Sequence, residues 1–191
     1  MIQELITSLQ LMPHPEGGFY RQIYKSPTRV WVEVGEPSPR ARGEGAASAA
    51  DEGRHPAVIA PHPALRATLS PLRGARDLRE RAALTIIHFL LPAGQVSRWH
   101  RVDSDEVWTH LDGEPLRLHR FDGIAASNAI LDRASPLQVI PAGEWQAAEP
   151  LGAYALVACF VAPGFEFADF MLMSEEAEMA AKLPEELRRF V

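Results

Sequence analysis

The stretch GQVSRWHRVDSDEVWTHLDG, from Gly94 to Gly113, constrains what this chain can fold into more than any other part of it. A glycine stands at each end, and glycine enters a turn of positive φ without steric cost. Five residues separate Gly94 from His100, and one separates His100 from Val102. Three more lead to Glu106 and six more to Gly113. Trp99 to Val102 and Glu106 to His110 read as strands, so the stretch is expected to form a hairpin. Side chains alternate along a strand. Arg98, His100 and Val102 are thereby assigned to one face of the first strand, and Glu106, Trp108 and His110 to one face of the second. An imidazole and a carboxylate brought together across neighbouring strands make a metal site or an acid–base pair.

The rest of the chain supports an all-β fold with helix at its ends. Ile2, Leu5, Ile6 and Leu9 recur at helical spacing, and Pro13 and Pro15 end that helix. Phe19 to Val34 reads as one or two strands broken by KSPT. From Ala82 the strands follow closely: ALTIIHFLL, the glycine-bounded stretch, PLRLHRF, SPLQVIPAGEWQAA, YALVACFVAPGF and GFEFADFML. Gly and Pro recur between them, as in sandwiches and barrels. Leu116 and Leu118 alternate with Arg117 and His119, which predicts one buried and one wet face. Ser174 before Glu175 and Glu176 predicts a helix start, and a final helix runs through LPEELRRF with a break at Pro184. Residues 35–79 have no period. Their prolines, alanines, glycines and arginines read as an insertion within a single domain of residues 1–191, expected to be mobile from composition. A competing reading makes this segment a lid anchored by Val58, Ile59, Leu65, Leu69 and Leu72.

Composition excludes several classes of function. The net charge of −6 argues against nucleic acid as a partner. Residues 35–81 carry eight arginines against six acids, so the acidity lies elsewhere in the chain. No apolar run approaches the ~20 residues of a membrane span. The first residues, MIQELITSLQ, lack the basic start and apolar centre of a signal peptide, so a cytoplasmic protein is expected. Cys159 is the only cysteine and sits in a strand-like apolar run, where it is expected to act as a small buried hydrophobe.

The spacing of Gly94, His100, Glu106 and Gly113 resembles the first motif of the cupin superfamily, in which Val102 would be a second histidine. Pro141, Gly143 and Gln146 resemble the second motif, with Gln146 at the place of a further histidine. HPEGGFYR, from His14 to Arg21, and VAPGFEFADF, from Val161 to Phe170, are similar to signatures of a small cupin family of unknown function. In that family a glutamine at the position of Gln146 is usual. The order of Thr109 and His110 departs from its pattern, which leaves His110 without an assigned role. The likeness covers roughly residues 1–31 and 82–175. It implies a jelly-roll barrel with short terminal helices, a pocket for a small molecule, and a homodimer.

On this reading His100 and Glu106 are the expected catalytic pair, with Arg21, Arg98, Trp108 and Gln146 as ligand-binding residues. His100, Glu106 and Gln146 are also the residues that would hold a metal. The set lacks the second and third histidines, so no cofactor is firmly implied and a divalent metal would be weakly bound. His14 and Glu16 serve equally well to fix the Gly17-Gly18 turn or to touch a ligand. Three functions follow. The first is a metal-independent isomerase or epimerase acting on a sugar or sugar-nucleotide-like substrate, with His100 as base and Glu106 orienting it. The second is a non-catalytic binding or sensing cupin, marked by a His100 without a hydrogen bond to Glu106. The third is a metal-dependent oxygenase or lyase.

Overall fold

A computed structural model describes residues 2–34 and 77–191. The expectations for the insertion, including its lid anchors, fall on residues outside the described ones, except that a strand already begins at Asp77. The chain divides into two units, Met1–Val32 with Glu80–Val191, and Glu33–Arg79. Of the second, the described residues are the ends of strands β3 (Arg29–Val34) and β4 (Asp77–Ala82), which form a two-stranded sheet.

The first unit is built on two antiparallel sheets. One runs in the order β1 (Met12–Pro13), β2 (Phe19–Lys25), β5 (Thr85–Pro92), β12 (Tyr154–Ala162), β7 (Asp105–Gly113) and β10 (Leu137–Ile140). The other runs β13 (Phe170–Leu172), β6 (Ser97–Val102), β11 (Trp145–Pro150), β8 (Leu116–Phe121) and β9 (Ala126–Leu131). This is a jelly roll, and it corrects one expectation. β6 and β7 are consecutive but are not hydrogen-bonded partners, because the turn at Asp103 and Ser104 carries the chain from one sheet to the other. His100 and Glu106 therefore belong to different sheets rather than to one hairpin.

Three apolar clusters hold the unit together. The inner one joins Phe89, Trp108, Leu116, Leu118, Ile140, Val157 and Cys159 from both sheets. A second packs Trp99, Phe121 and Trp145 of the five-stranded sheet against Met173, Leu183 and Phe190. A third packs Leu90, Tyr154 and Leu156 against helix α1 (Ile2–Ser8), through Ile2, Leu5 and Ile6, and against Leu9 just after it. Each terminal segment thus covers the outer face of one sheet. For this reason His119 and Phe121 are buried, and the expected wet face of β8 is dry along part of its length.

The C-terminal helix also differs from expectation. After a short helix α2 (Ala177–Ala180), the segment Glu185–Phe190 is a 3-10 helix with Pro184 at its start, and Glu176 rather than Ser174 precedes α2. A 3-10 turn aligns residues three apart, which brings Leu187 and Phe190 together into the second cluster. The Trp99 indole donates to the Leu187 carbonyl at 2.9 Å and fixes the segment to β6. Burying Phe190 completely contributes roughly 1.5–3 kcal/mol.

The two glycines that bound the central stretch are unlike each other. Both have positive φ, 80° at Gly94 and 87° at Gly113. A methyl group on Gly94 would meet nothing within 4 Å, whereas one on Gly113 would lie 2.5 Å from the Tyr154 carbonyl oxygen. Gly94→Ala is expected to cost about 1–2 kcal/mol, the cost of a left-handed residue alone. Gly113→Ala should cost at least about twice as much, since backbone must also shift. Urea unfolding of the two variants checks this, and equal losses would refute the close approach.

Candidate functional site

The site begins with a loop, not a strand. His14 to Gly18 precede β2 and lie against β5 and β6. A methyl group on Gly17 (φ 113°) would sit 2.2 Å from the Val96 carbonyl oxygen, and one on Gly18 would sit 2.7 Å from that of Leu90. Only glycine allows an approach this close. The Arg98 N–H donates to the Glu16 carbonyl at 2.8 Å, and the Arg98 guanidinium donates to the Pro15 carbonyl. These bonds carry the Glu16 side chain into the barrel, where it is buried.

Inside, Glu16 meets β6. Ser97 Oγ donates to Glu16 Oε1 at 2.8 Å, and His100 Nε2 lies 3.2 Å from Glu16 Oε2. The other ring nitrogen, Nδ1, is 2.8 Å from the Arg98 carbonyl, which only accepts. Nδ1 must therefore carry a hydrogen, and in the neutral ring Nε2 is the acceptor. A bare Nε2 and a carboxylate oxygen repel at 3.2 Å, so a proton lies between them. Phe170 stacks on the ring at 5.4 Å between centroids and holds it in place.

Glu106 enters from the opposite sheet. Gln146 Nε2 donates to Glu106 Oε2 at 2.5 Å, and the Trp108 indole N–H donates to Gln146 Oε1 at 2.8 Å. Trp108 thus fixes which end of the amide faces the carboxyl. Gln146 sits beside His100 in register on β11 and ties the two sheets together.

Glu16, His100 and Glu106 line one cavity of about 250 Å3. His14, Thr85, Cys159 and Gln22 add polar groups, and Tyr20, Phe165, Phe167 and Phe170 supply aromatic wall. Burial decides the protonation states. It pushes Glu16 from 4.5 up to about 8, against the opposing pull of Ser97 and Arg98. Burial raises Glu106 too, despite the nearby His100 ring and the Gln146 bond. It lowers His100, and it lowers His14 from 6.5 to about 3, helped by the charge of His100. Burial also raises the Cys159 thiol, with further contributions from Glu106 and Glu16. Near neutral pH the site therefore favours neutral imidazoles and a protonated Glu16.

The residues expected from sequence fall into three groups. His100 and Glu106 both line the cavity, as does Val102. Gln146 and Trp108 lie behind Glu106, fully enclosed, and reach the cavity only through it. Arg21 and Arg98 are not on the cavity wall: Arg21 is exposed and donates to the Leu9 carbonyl at 3.3 Å. Arg98 leaves the His100 face because the register of β6 against β11 shifts between Ser97 and His100. A bulge of this kind breaks strict alternation, so Ser97 takes the inward place expected for Arg98. Glu16 is the residue that sequence reasoning missed as a partner of His100. The signal was present in the glycine pair directly after it, which marks a loop pressed against its neighbours.

The cupin ligand positions do not suit a metal here. Val102 offers no donor, the Gln146 amide oxygen is occupied by Trp108, and His100 Nε2 faces Glu16. Among the described residues no group of three His, Cys, Asp or Glu side chains is placed to hold a metal ion.

The shifts fix the pH dependence of stability. Glu16 is raised on folding, so its contribution is full below 4.5 and is lost as pH rises through about 8. His14 is lowered, so its contribution is full above 6.5 and is lost as pH falls through about 3. The two oppose each other between 4.5 and 6.5, and above that the Glu16 loss stands alone. Stability is expected to fall from pH 6.5 to 8 by up to about 1.4 kcal/mol per unit for this group, with Glu106 adding in the same direction. Glu16→Gln should make the fall shallower. Urea unfolding at both pH values checks this, and an unchanged slope would show that Glu16 is ionised in the fold.

With the geometry in place, comparison with known proteins gives a consistent result. Residues 3–173 match the family described as Cupin superfamily (DUF985). Among solved structures, a hypothetical protein from Leishmania major is similar at 22% identity and a TM-score of 0.67, over 99% of this chain and 97% of that one. A Shewanella oneidensis protein is similar at 27% identity and a TM-score of 0.64, over 98% of this chain and 94% of that one. No curated protein matches. Among the described residues no helix is long and apolar enough to cross a membrane. The two-sheet barrel and the family match agree: the chain belongs to the cupin superfamily, in the family described as DUF985.

Proposed function

We propose that the protein is a small-molecule-binding cupin whose cavity carries out acid–base chemistry without a metal, as an isomerase or epimerase on a sugar-like polar substrate. The observation that supports this reading is the contact between His100 Nε2 and Glu16 at 3.2 Å on the wall of a cavity, a distance at which one proton is shared. A neutral imidazole takes a proton from carbon beside a carbonyl. In that step Glu16 gives its proton to the substrate oxygen, which frees Nε2 to accept the carbon-bound hydrogen. The C–H electron pair becomes the double bond of an enol, and reversal at the neighbouring carbon, or at the other face of the same one, completes the reaction without net redox. Glu106, across the cavity, is the second acid. The Arg98 carbonyl, rather than Glu106, orients the ring.

The volume favours a substrate of sugar size. Pockets for drug-sized ligands measure roughly 300–1,000 Å3, and a cavity of about 250 Å3 would leave the nucleotide of a sugar nucleotide outside. A specific observation favours the non-catalytic binding reading as the second: among the described residues no hydrogen bond joins His100 to Glu106. The donor set gives no support to the oxygenase or lyase reading. A cytoplasmic homodimer without a nucleic-acid partner completes the proposal, with exposed Met12, Ile23 and Tyr24 beside the HPEGGFYR segment as its contact.

Two measurements test it. In heavy water, small hydroxyketones and aldoses are expected to take up deuterium beside the carbonyl, seen by NMR. His100→Gln should abolish the exchange, Glu16→Gln should slow it about 100-fold, and prior chelation should leave it unchanged. Binding without exchange would move the protein to the non-catalytic reading, and loss of exchange on chelation would overturn the metal-free one. Light scattering at micromolar concentration is expected to give twice the chain mass of 21.1 kDa, and a monomeric mass would remove the dimer.

A further inference from the structure

The cavity has a chemical bias that the acid–base reading does not use. Its wall carries two carboxyl groups, Glu16 and Glu106, and four aromatic rings, Tyr20, Phe165, Phe167 and Phe170. Among the described residues no lysine or arginine lines it. The rings form a connected surface. Phe165 meets Phe167 at 5.0 Å and Phe170 at 6.1 Å between centroids, and Phe167 meets Phe170 at 6.2 Å. Ring faces and carboxyl oxygens both attract positive charge, and a desolvated site strengthens both effects. An anion would meet two acids and no cation. A neutral polyol would find hydrogen-bond partners at the floor and apolar wall elsewhere.

We propose that the cavity selects a small organic cation, a methylated ammonium group, with its methyls against Phe165, Phe167 and Phe170 and its charge towards Glu16 and Glu106. The inference rests on the small-molecule-binding reading and names the ligand class of that same site. It does not require the site to be catalytic. Methyl groups on a positive nitrogen spread the charge over a surface that packs like a hydrocarbon. This suits a wall that is mostly ring and a floor that is mostly oxygen. If proton transfer occurs there, a sugar-sized carbonyl compound that also carries such a group is expected to bind more tightly than its neutral counterpart.

Choline and 3,3-dimethylbutan-1-ol test this, because they have the same shape and differ in charge. Calorimetry with the full chain is expected to show choline bound about tenfold more tightly than the alcohol, the size of a desolvated cation–π preference. The anion 3,3-dimethylbutanoate should bind more weakly than either. Phe167 is 54% exposed at the cavity, so Phe167→Leu should leave the fold intact. It is expected to weaken choline several-fold while leaving the alcohol nearly unchanged. Unfolding curves of this variant that match the parent confirm that the loss is local. Equal binding of choline and the alcohol, a preference for the anion, or no choline binding at tens of millimolar each overturns the proposal. None of these results bears on whether deuterium exchange occurs, so the two readings fail separately.

Discussion

Everything distinctive about this barrel follows from placing two carboxyl groups where a jelly roll keeps its apolar interior. Moving a carboxylate out of water costs several kcal/mol even after the protein relaxes. The chain meets that cost in two ways. It favours the protonated form, as the rise of Glu16 to about 8 reflects. It also supplies donors, Ser97 to Glu16 and Gln146 to Glu106. The donors themselves are fixed by further bonds, since Trp108 holds the Gln146 amide and the bulge in β6 turns Ser97 inward. The glycines at 17 and 18 serve the same end, because without their close approach to β5 and β6 Glu16 would stay outside.

The poor fit of the site to a metal follows from the same arrangement. A metal would need His100 Nε2 and the Gln146 oxygen free, and both are engaged. Glu16 stands where it neutralises the ring's open nitrogen, and Val102 seals a position where a donor would otherwise be. Beside His100 the site presents a close contact with Glu16 rather than open donors for an ion. In the proposed reading this contact serves acid–base chemistry beside an aromatic wall.

Much of this was legible in the sequence because it rests on local rules. The glycine-bounded stretch, the alternation of Glu106, Trp108 and His110, and the resemblance to cupin motifs gave the fold and two of the three cavity groups. What failed was what depends on distant contacts. The turn at Asp103 and Ser104 looks like a hairpin turn, and only the pairing of β6 with β11 and β13 reveals that the chain has changed sheets. The bulge that turns Arg98 away is set by register against β11, which no local pattern encodes. Glu16 lies 84 residues before His100 in the sequence, and their meeting is a product of the barrel's closure. The C-terminal segment is 3-10 rather than α because the outer face of the five-stranded sheet, not helix propensity, dictates where Leu187 and Phe190 must point.

Strand β12 is the place where this architecture has its hidden cost. From Tyr154 to Cys159 every residue is buried, because the inner cluster takes one face and helix α1 with its neighbours takes the other. The strand contains no charge and no proline, YALVACFVA, and in isolation it matches the pattern of an aggregating segment. Its protection comes from β5 on one edge and β7 on the other, strands that lie on average more than forty residues away along the chain. Until both are in place it is a sticky edge looking for any partner, including another copy of itself. The same strand that anchors the barrel is thus exposed to mispairing until β5 and β7 have both joined it.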